Sequence, residues 1–168
     1  MLWLGCCSVN KRTLVRQLEN GILLVLIPGG AVEALHAHPQ TMVLKQRQGF
    51  VKLARETSAK VLPVIGFGEN EIFKRITHPL FQPLHKLFHF IFKSSAPLFM
   101  GKTWFGFPAL HPLVTVVGSA IRVEKIQYPS KQQIDELHEK YMQSLQKLYD
   151  DYKDIYHTYR TQEMRFVK

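Results

Sequence analysis

Between residues 72 and 123 the sequence contains no Asp or Glu. Cysteine is almost missing as well: Cys6 and Cys7 are the only two and stand side by side. Neighbouring cysteines rarely reach disulfide geometry without strain, so there is no disulfide framework and a reducing, cytosol-facing environment is expected. No apolar run approaches the roughly 18 residues of a spanning helix. The longest, ILLVLIPGGAV, is interrupted at Pro28, Gly29 and Gly30. The opening MLWLGCCSVN has neither the basic region nor the apolar length of a signal peptide. Glycine spacing fits neither a dinucleotide fingerprint nor a phosphate loop, and no repeat or low-complexity tract is present.

What is there suits one domain. A chain of 168 residues with 46% apolar content is long enough to bury about two-thirds of the surface its unfolded form exposes. Lys and Arg number 22 against 13 Asp and Glu, for a formal charge of +9. That balance points to an anionic partner: nucleic acid, lipid headgroups or a phosphorylated cofactor.

Periodicity supplies the elements. Asn10 can cap a short helix to about Asn20, with Leu14, Val15 and Leu18 on one face and Gly21 as its stop. ILLVLI, 22–27, is apolar on both alternating faces and predicts a strand buried on both sides. Phe50, Leu53, Ala54 and Thr57 recur at helical spacing between Lys45 and about Ser58, with Lys52, Arg55 and Glu56 facing out. VLPVIGF, 61–67, predicts another strand, although Pro63 lacks the donor a ladder needs. PLVTVVG, 112–118, is a third candidate, followed by IRVEKI, 121–126. Ser130 and Gln133 form a capping box for one long amphipathic helix to about Tyr159, along which Ile134, Leu137, Tyr141, Leu145, Leu148, Tyr152 and Ile155 recur. Strand, helix and strand in succession make the fold class α/β, with 22–27 and 61–67 expected to be parallel.

Parallel strands would bring two turns to one sheet edge, where open α/β sheets bind ligands. Gly29, Gly30 and Glu33 leave one strand; Gly66, Gly68 and Glu69 leave the other. A carboxylate beside each turn can orient a hydroxyl, pair with an Arg or act as a base, or simply cap the next helix. His36 and His38 have a spacing that could offer a metal two imidazoles. No further His or Cys follows at zinc spacing and Pro39 signals a loop, so they are read as loop histidines. Within the acid-free region, residues 79–110 interleave Phe81, Phe88, Phe90, Phe92, Phe99, Trp104, Phe105 and Phe107 with Lys86, Lys93 and Lys102. Such a segment suits a membrane boundary, single-stranded nucleic acid or an ordinary core.

One stretch carries more than pattern. RQGFVKLARETSAKVLPVIGFGENEIFK resembles the long motif of the diacylglycerol acyltransferase type 2 family, R-x-G-F-x-K-x-A followed by a V-P strand and F-G-E-N. The match falls on Arg47, Gly49, Phe50, Lys52, Ala54, Pro63, Phe67, Gly68, Glu69 and Asn70. PGGAVEAL is similar to the family's G-G-A-x-E-A-L turn through Gly29, Gly30, Ala31, Glu33, Ala34 and Leu35, and VTVVGSAIRV with the long helix resembles its terminal strand and helix. Ser58 stands where the family usually has glycine. The family's H-P-H-G motif, source of its presumed catalytic histidine, is absent, and the HAHP of 36–39 lies on the wrong side of the glycine turn to replace it.

The resemblance covers nearly the whole chain and corresponds to the carboxyl-terminal half of the family, so the expectation is a single partial domain over 1–168, truncated at its amino terminus, with a glycerolipid-acyltransferase-like mixed sheet flanked by helices. It implies transfer of a fatty acyl group from acyl-coenzyme A, as co-substrate and with no cofactor or metal, to a mono- or diacylglycerol or a fatty alcohol. Gly29, Gly30, Glu33, Arg47, Gly49, Lys52, Phe67, Gly68, Glu69 and Asn70 would be substrate-binding, with no catalytic residue on this chain. Glu33 and Glu69 would shape the acceptor end, and Arg47 and Lys52 would face coenzyme A phosphates. A membrane surface, the cytosolic face of the endoplasmic reticulum or a lipid droplet, and a second copy of the chain are the implied partners, and nucleic acid is not. The alternative is a lipid-binding or regulatory module that pairs with a full-length relative.

Overall fold

The computed structural model describes residues 5–29, 41–68, 74–75, 99–100, 111–158, 160 and 163–167. In chain order these form α1 (Lys11–Glu19), β1 (Thr41–Val43), α2 (Gly49–Thr57), β2 (Val64–Phe67), β3 (Lys74–Arg75), β4 (Phe99–Met100), β5 (Val114–Val117), α3 (Lys131–Tyr156) and β6 (Arg165–Val167). The architecture is mixed α/β.

The helices start where their caps dictate. The Asn10 side chain accepts from the Thr13 N–H at 2.8 Å, and α1 ends before Gly21 at φ 73°. At α3 the Ser130 hydroxyl accepts from the Gln133 N–H while the Gln133 side chain accepts from the Ser130 N–H at 2.9 Å. Two orphan donors are satisfied reciprocally, and the helix runs 26 residues to Tyr156. Leu137, Tyr141, Leu145, Leu148 and Tyr149 form its buried row. Against that row pack Val51 and Ala54 of α2 and Ile65 and Phe67 of β2, joined by Leu44, Ile121, Val123 and Met164. α1 rests on α2 through Leu14 and a Lys11–Glu56 ion pair of 2.7 Å. Of the three α2 residues expected to face out, only Lys52 does so freely, since Glu56 takes that pair and the Arg55 guanidinium donates to the Gln133 carbonyl at 3.3 Å.

Three two-stranded sheets are present among the described residues: β1 parallel with β6, β2 antiparallel with β5, and β3 antiparallel with β4. This corrects the expected crossover. Strand 61–67 takes 114–117 as its antiparallel partner, in register Val64 with Val117 and Phe67 with Val114. Residues 22–27 join no ladder with a described strand, and Leu23, Val25 and Ile27 are 80%, 86% and 77% exposed. An apolar strand is stable where both faces are covered, and here Leu24 and Leu26 are half-buried while Leu23, Val25 and Ile27 are left open. IRVEKI is likewise no strand beyond a single bridge at Ile121. Its backbone serves the end of α2 instead: Ile126 N–H donates to the Arg55 carbonyl at 2.8 Å, and the Ser58 hydroxyl donates to the Val123 carbonyl at 3.0 Å. Ser58 sits at φ 60°, the left-handed conformation that glycine would adopt without strain.

Pro63 finds its place at a ladder interruption. Val61 pairs with Ile121 and Val64 with Val117, so 62 and 63 face 118, 119 and 120, a bulge. The missing donor is not needed there, and the Pro63 carbonyl still accepts from Gly118 N–H at 2.8 Å. The ring presses on Gly118 so closely that an added Cβ would lie 2.9 Å from Pro63 Cγ and 3.3 Å from Leu148 Cδ2.

The end of the chain is held by charge. Lys153 pairs with Asp150 at 2.7 Å and with Glu163 at 3.0 Å, while Arg160 pairs with Asp154 at 2.7 Å and with Glu163 at 2.8 Å. Arg160 and then Lys153 hold the Glu163 carboxyl at about 2, below its ordinary 4.5. The lowered value means that this anchorage is complete above about pH 4.5 and is lost as pH falls through about 2. Amide exchange at Arg165–Val167 is therefore expected to accelerate over that window before α3 unfolds, and to accelerate at neutral pH in high salt. Gly118→Ala should destabilise the chain by about 2 kcal/mol in urea unfolding, through overpacking against Pro63 and Leu148.

Candidate functional site

The matched motif folds into two places. The first is the entry to α2. Leu44 is buried and its carbonyl accepts from Arg47 N–H at 2.9 Å, which turns the chain into Gln48. Gln48 makes no side-chain cap, because its amide donates to the Asp135 carboxylate of α3 at 2.7 Å. The first-turn N–H groups of α2 are thus left without a side-chain acceptor, and the first turn contains no acidic residue. Arg47 and Lys52 flank this end, both exposed and without an ion pair among the described residues. An added Cβ on Gly49 would meet nothing within 4 Å. A helix N-terminus between two cations, with open space at a glycine, can receive a phosphate.

The second place is the end of β2. Gly68 is buried at φ 87°, and a Cβ there would come within 2.1 Å of the Pro112 carbonyl oxygen and 3.0 Å of His111 Nδ1. Only glycine fits. Phe67 points into the core, stacked on Tyr149 at 6.1 Å between ring centroids and touching Tyr156 at 5.9 Å and His157 at 6.4 Å. Its first role is therefore to lock the turn against α3. Burial pushes the Tyr149 hydroxyl above its ordinary range, and Lys153 lies 5.5 Å from the centre of that ring.

The two turns expected on one sheet edge are not joined by a sheet. Gly29 is buried after the exposed segment 22–27, whereas Gly68 follows β2. Gly30, Glu33, Glu69, Asn70, His36, His38 and most of the aromatic segment 79–110 lie outside the described residues. His111 and His157 were not singled out by sequence, and both reach the Phe67–Gly68 turn. They stand 43 and 90 positions beyond it, counting 111 − 68 and 157 − 67, so no local spacing signals them.

A family model described as diacylglycerol acyltransferase matches residues 1–167. Diacylglycerol O-acyltransferase 2A of Umbelopsis ramanniana is 39% identical over 98% of this chain and 50% of its own length. 2-acylglycerol O-acyltransferase 1 of Bos taurus is 37% identical over 90% of this chain and 49% of its own. Diacylglycerol O-acyltransferase 2-like protein 6 of Homo sapiens is 36% identical over 96% and 53%. The chain spans about half the length of the curated relatives it matches. No solved structure matches it.

Two glycines of the motif should respond oppositely to alanine. Gly49→Ala is expected to raise stability by about 0.5–1 kcal/mol, since the position is helical and open. Gly68→Ala should lower it by about 2 kcal/mol or more through strain and collision with Pro112. Paired urea melts check both.

Proposed function

The chain belongs to the diacylglycerol acyltransferase family, and from that premise we propose that it supplies the substrate-holding half of an acyl-coenzyme A-dependent O-acyltransferase of neutral-lipid synthesis. The acceptor hydroxyl of an acylglycerol or fatty alcohol attacks the thioester carbonyl. The C–S bond breaks, an ester C–O bond forms, and the hydroxyl proton passes through a general base to the departing coenzyme A thiolate. The sequence has no H-P-H-G motif, so that base lies outside this chain.

Arg47, Lys52 and the amino end of α2 bind coenzyme A phosphates in this reading. The observation that carries it is the pair of exposed cations, without an ion pair among the described residues, beside helix N–H groups that no described side chain caps. Glu33 and Glu69 orient the acceptor hydroxyl. Gly29 and Gly30 let backbone approach the lipid, Gly68 sets the turn from which Glu69 leaves, and Asn70 completes the acceptor end. The fold carrying them is a glycerolipid-acyltransferase-like mixed sheet, with α3 as an amphipathic brace. The acid-free aromatic segment 79–110 rests on the cytosolic face of the endoplasmic reticulum or on a lipid droplet, where cations meet headgroups and rings meet acyl chains. Among the described residues no helix is long and apolar enough to cross a membrane. The protein works as an oligomer or beside a full-length relative.

The test replaces the matched half of the Umbelopsis ramanniana relative with this chain and follows label from oleoyl-coenzyme A into acylglycerol, in membranes lacking other acyltransferases. The chimera should transfer label and the chain alone should not. In the chimera Arg47→Ala or Lys52→Ala should raise KM for acyl-coenzyme A about tenfold with kcat nearly unchanged, the loss of one charge-assisted phosphate contact. An inert but folded chimera would sink the acyl-transfer reading, and an unchanged KM would remove the phosphate role.

A further inference from the structure

Arg47 owes its position to the turn before it, in which its N–H donates to the Leu44 carbonyl at 2.9 Å. Leu44 is buried and follows directly on β1. β1 is three residues long, and its one described ladder is the parallel pairing with β6, Thr41 opposite Arg165 and Met42 opposite Phe166. Two strands of that length do not hold each other unaided, so what fixes β6 also fixes β1. Met42 and Phe166 pack on the core, and Leu44 shares that core with Met164, the residue that leads into β6.

Glu163 is the last anchor before that strand. Its carboxylate takes Arg160 at 2.8 Å and Lys153 at 3.0 Å, and those cations hold Asp154 and Asp150 at 2.7 Å each. A lone exposed pair contributes little. Here one carboxylate cross-links the end of α3 to the segment entering β6, through cations whose side chains are only 20% and 21% exposed. The opposite end of α3 holds the α2 entry directly, through the 2.7 Å bond between Gln48 and Asp135. The entry is thus fixed from both ends of one helix.

We propose that Glu163 is a positioning residue for the anion site at α2: by seating β6 on β1 it fixes the Leu44–Arg47 turn and so presents Arg47 to the coenzyme A phosphates. Loss of the carboxylate frees β6 and then β1, and the turn opens while the core between α2, α3 and β2 stays closed. The ligand named here rests on the phosphate reading of the α2 entry; the coupling from Glu163 to the turn does not.

The test measures amide exchange and coenzyme A titration on the whole chain, unaltered and as Glu163→Gln, which keeps the shape without the charge. In Glu163→Gln exchange should accelerate about tenfold or more at β6, at β1 and at the Arg47 amide, with Val51 and Leu145 unchanged. The Kd for coenzyme A should rise about fivefold, as when the entry is competent about one-fifth of the time. Glu163→Asp, which keeps the charge, should recover part of both effects. Raised salt should reproduce the faster exchange in the unaltered chain and add little to it in Glu163→Gln. Lys147→Gln breaks an exposed 2.6 Å pair with Asp151 on the same helix and should change neither reading. The proposal is overturned if β6 exchanges faster while the Arg47 amide does not, if Lys147→Gln acts equally, or if the turn opens and coenzyme A binds as before. An unaltered chain that binds no coenzyme A would sink the phosphate reading instead, and exchange at Arg47 would then decide the coupling alone.

Discussion

The burial of one row of α3 is the interaction on which the rest of the structure depends. Leu145 is 2% exposed and sits where α2 and β2 meet the helix, with Leu137 and Tyr141 on one side of it and Leu148 and Tyr149 on the other. Each fully buried side chain of this size contributes about 1.5–3 kcal/mol, so the row outweighs every exposed ion pair in the molecule. The position of the motif follows from it. Gln48 is drawn to Asp135, Arg55 to the Gln133 carbonyl, and Phe67 to Tyr149. In each case α3 fixes the far end of a motif element, leaving Arg47, Lys52 and the Gly49 surface facing out.

This division of labour separates two kinds of motif residue. Phe67, Gly68 and Pro63 are required by packing: a stacked ring, a turn that admits no Cβ, and a bulge that needs no donor. Arg47 and Lys52 do nothing for the core and remain available to an anion. The motif therefore joins residues that the packing requires to residues whose side chains stand open to solvent. The same core leaves 22–27 uncovered, where Ile22, Leu23, Val25 and Ile27 are exposed and no described strand pairs with the backbone, a liability unless a partner covers it.

The helices were legible because their signals are local. Asn10, Gly21, Ser130 and Gln133 act within four residues of the groups they satisfy, and the α3 row repeats at helical spacing. His138 is buried beside that row although no sequence signal singled it out, an imidazole meeting the edge of Phe50 at 6.2 Å. Strand partners were not legible. ILLVLI and IRVEKI have strand composition, but one finds no described ladder and the other serves the end of α2, through the Ile126 N–H to Arg55 and the Val123 carbonyl to Ser58. The pairing of Thr41–Val43 with Arg165–Val167 involves three residues a side, too short for any periodicity to announce. Of the candidate site, the α2 entry and the Gly68 turn lie among the described residues. His111 and His157 reach the Phe67–Gly68 turn only through tertiary packing.

Native-state amide exchange of the chain alone tests the central claim most directly: α3 organises a finished core around the motif while the apolar strand stays unfinished. Residues 137–149 of α3, 51–54 of α2 and 65–67 of β2 should exchange as one slow class through a common opening, with 23–27 exchanging orders of magnitude faster. If 23–27 exchange as slowly as Val51, or if α2 and β2 open independently of α3, the account is contradicted.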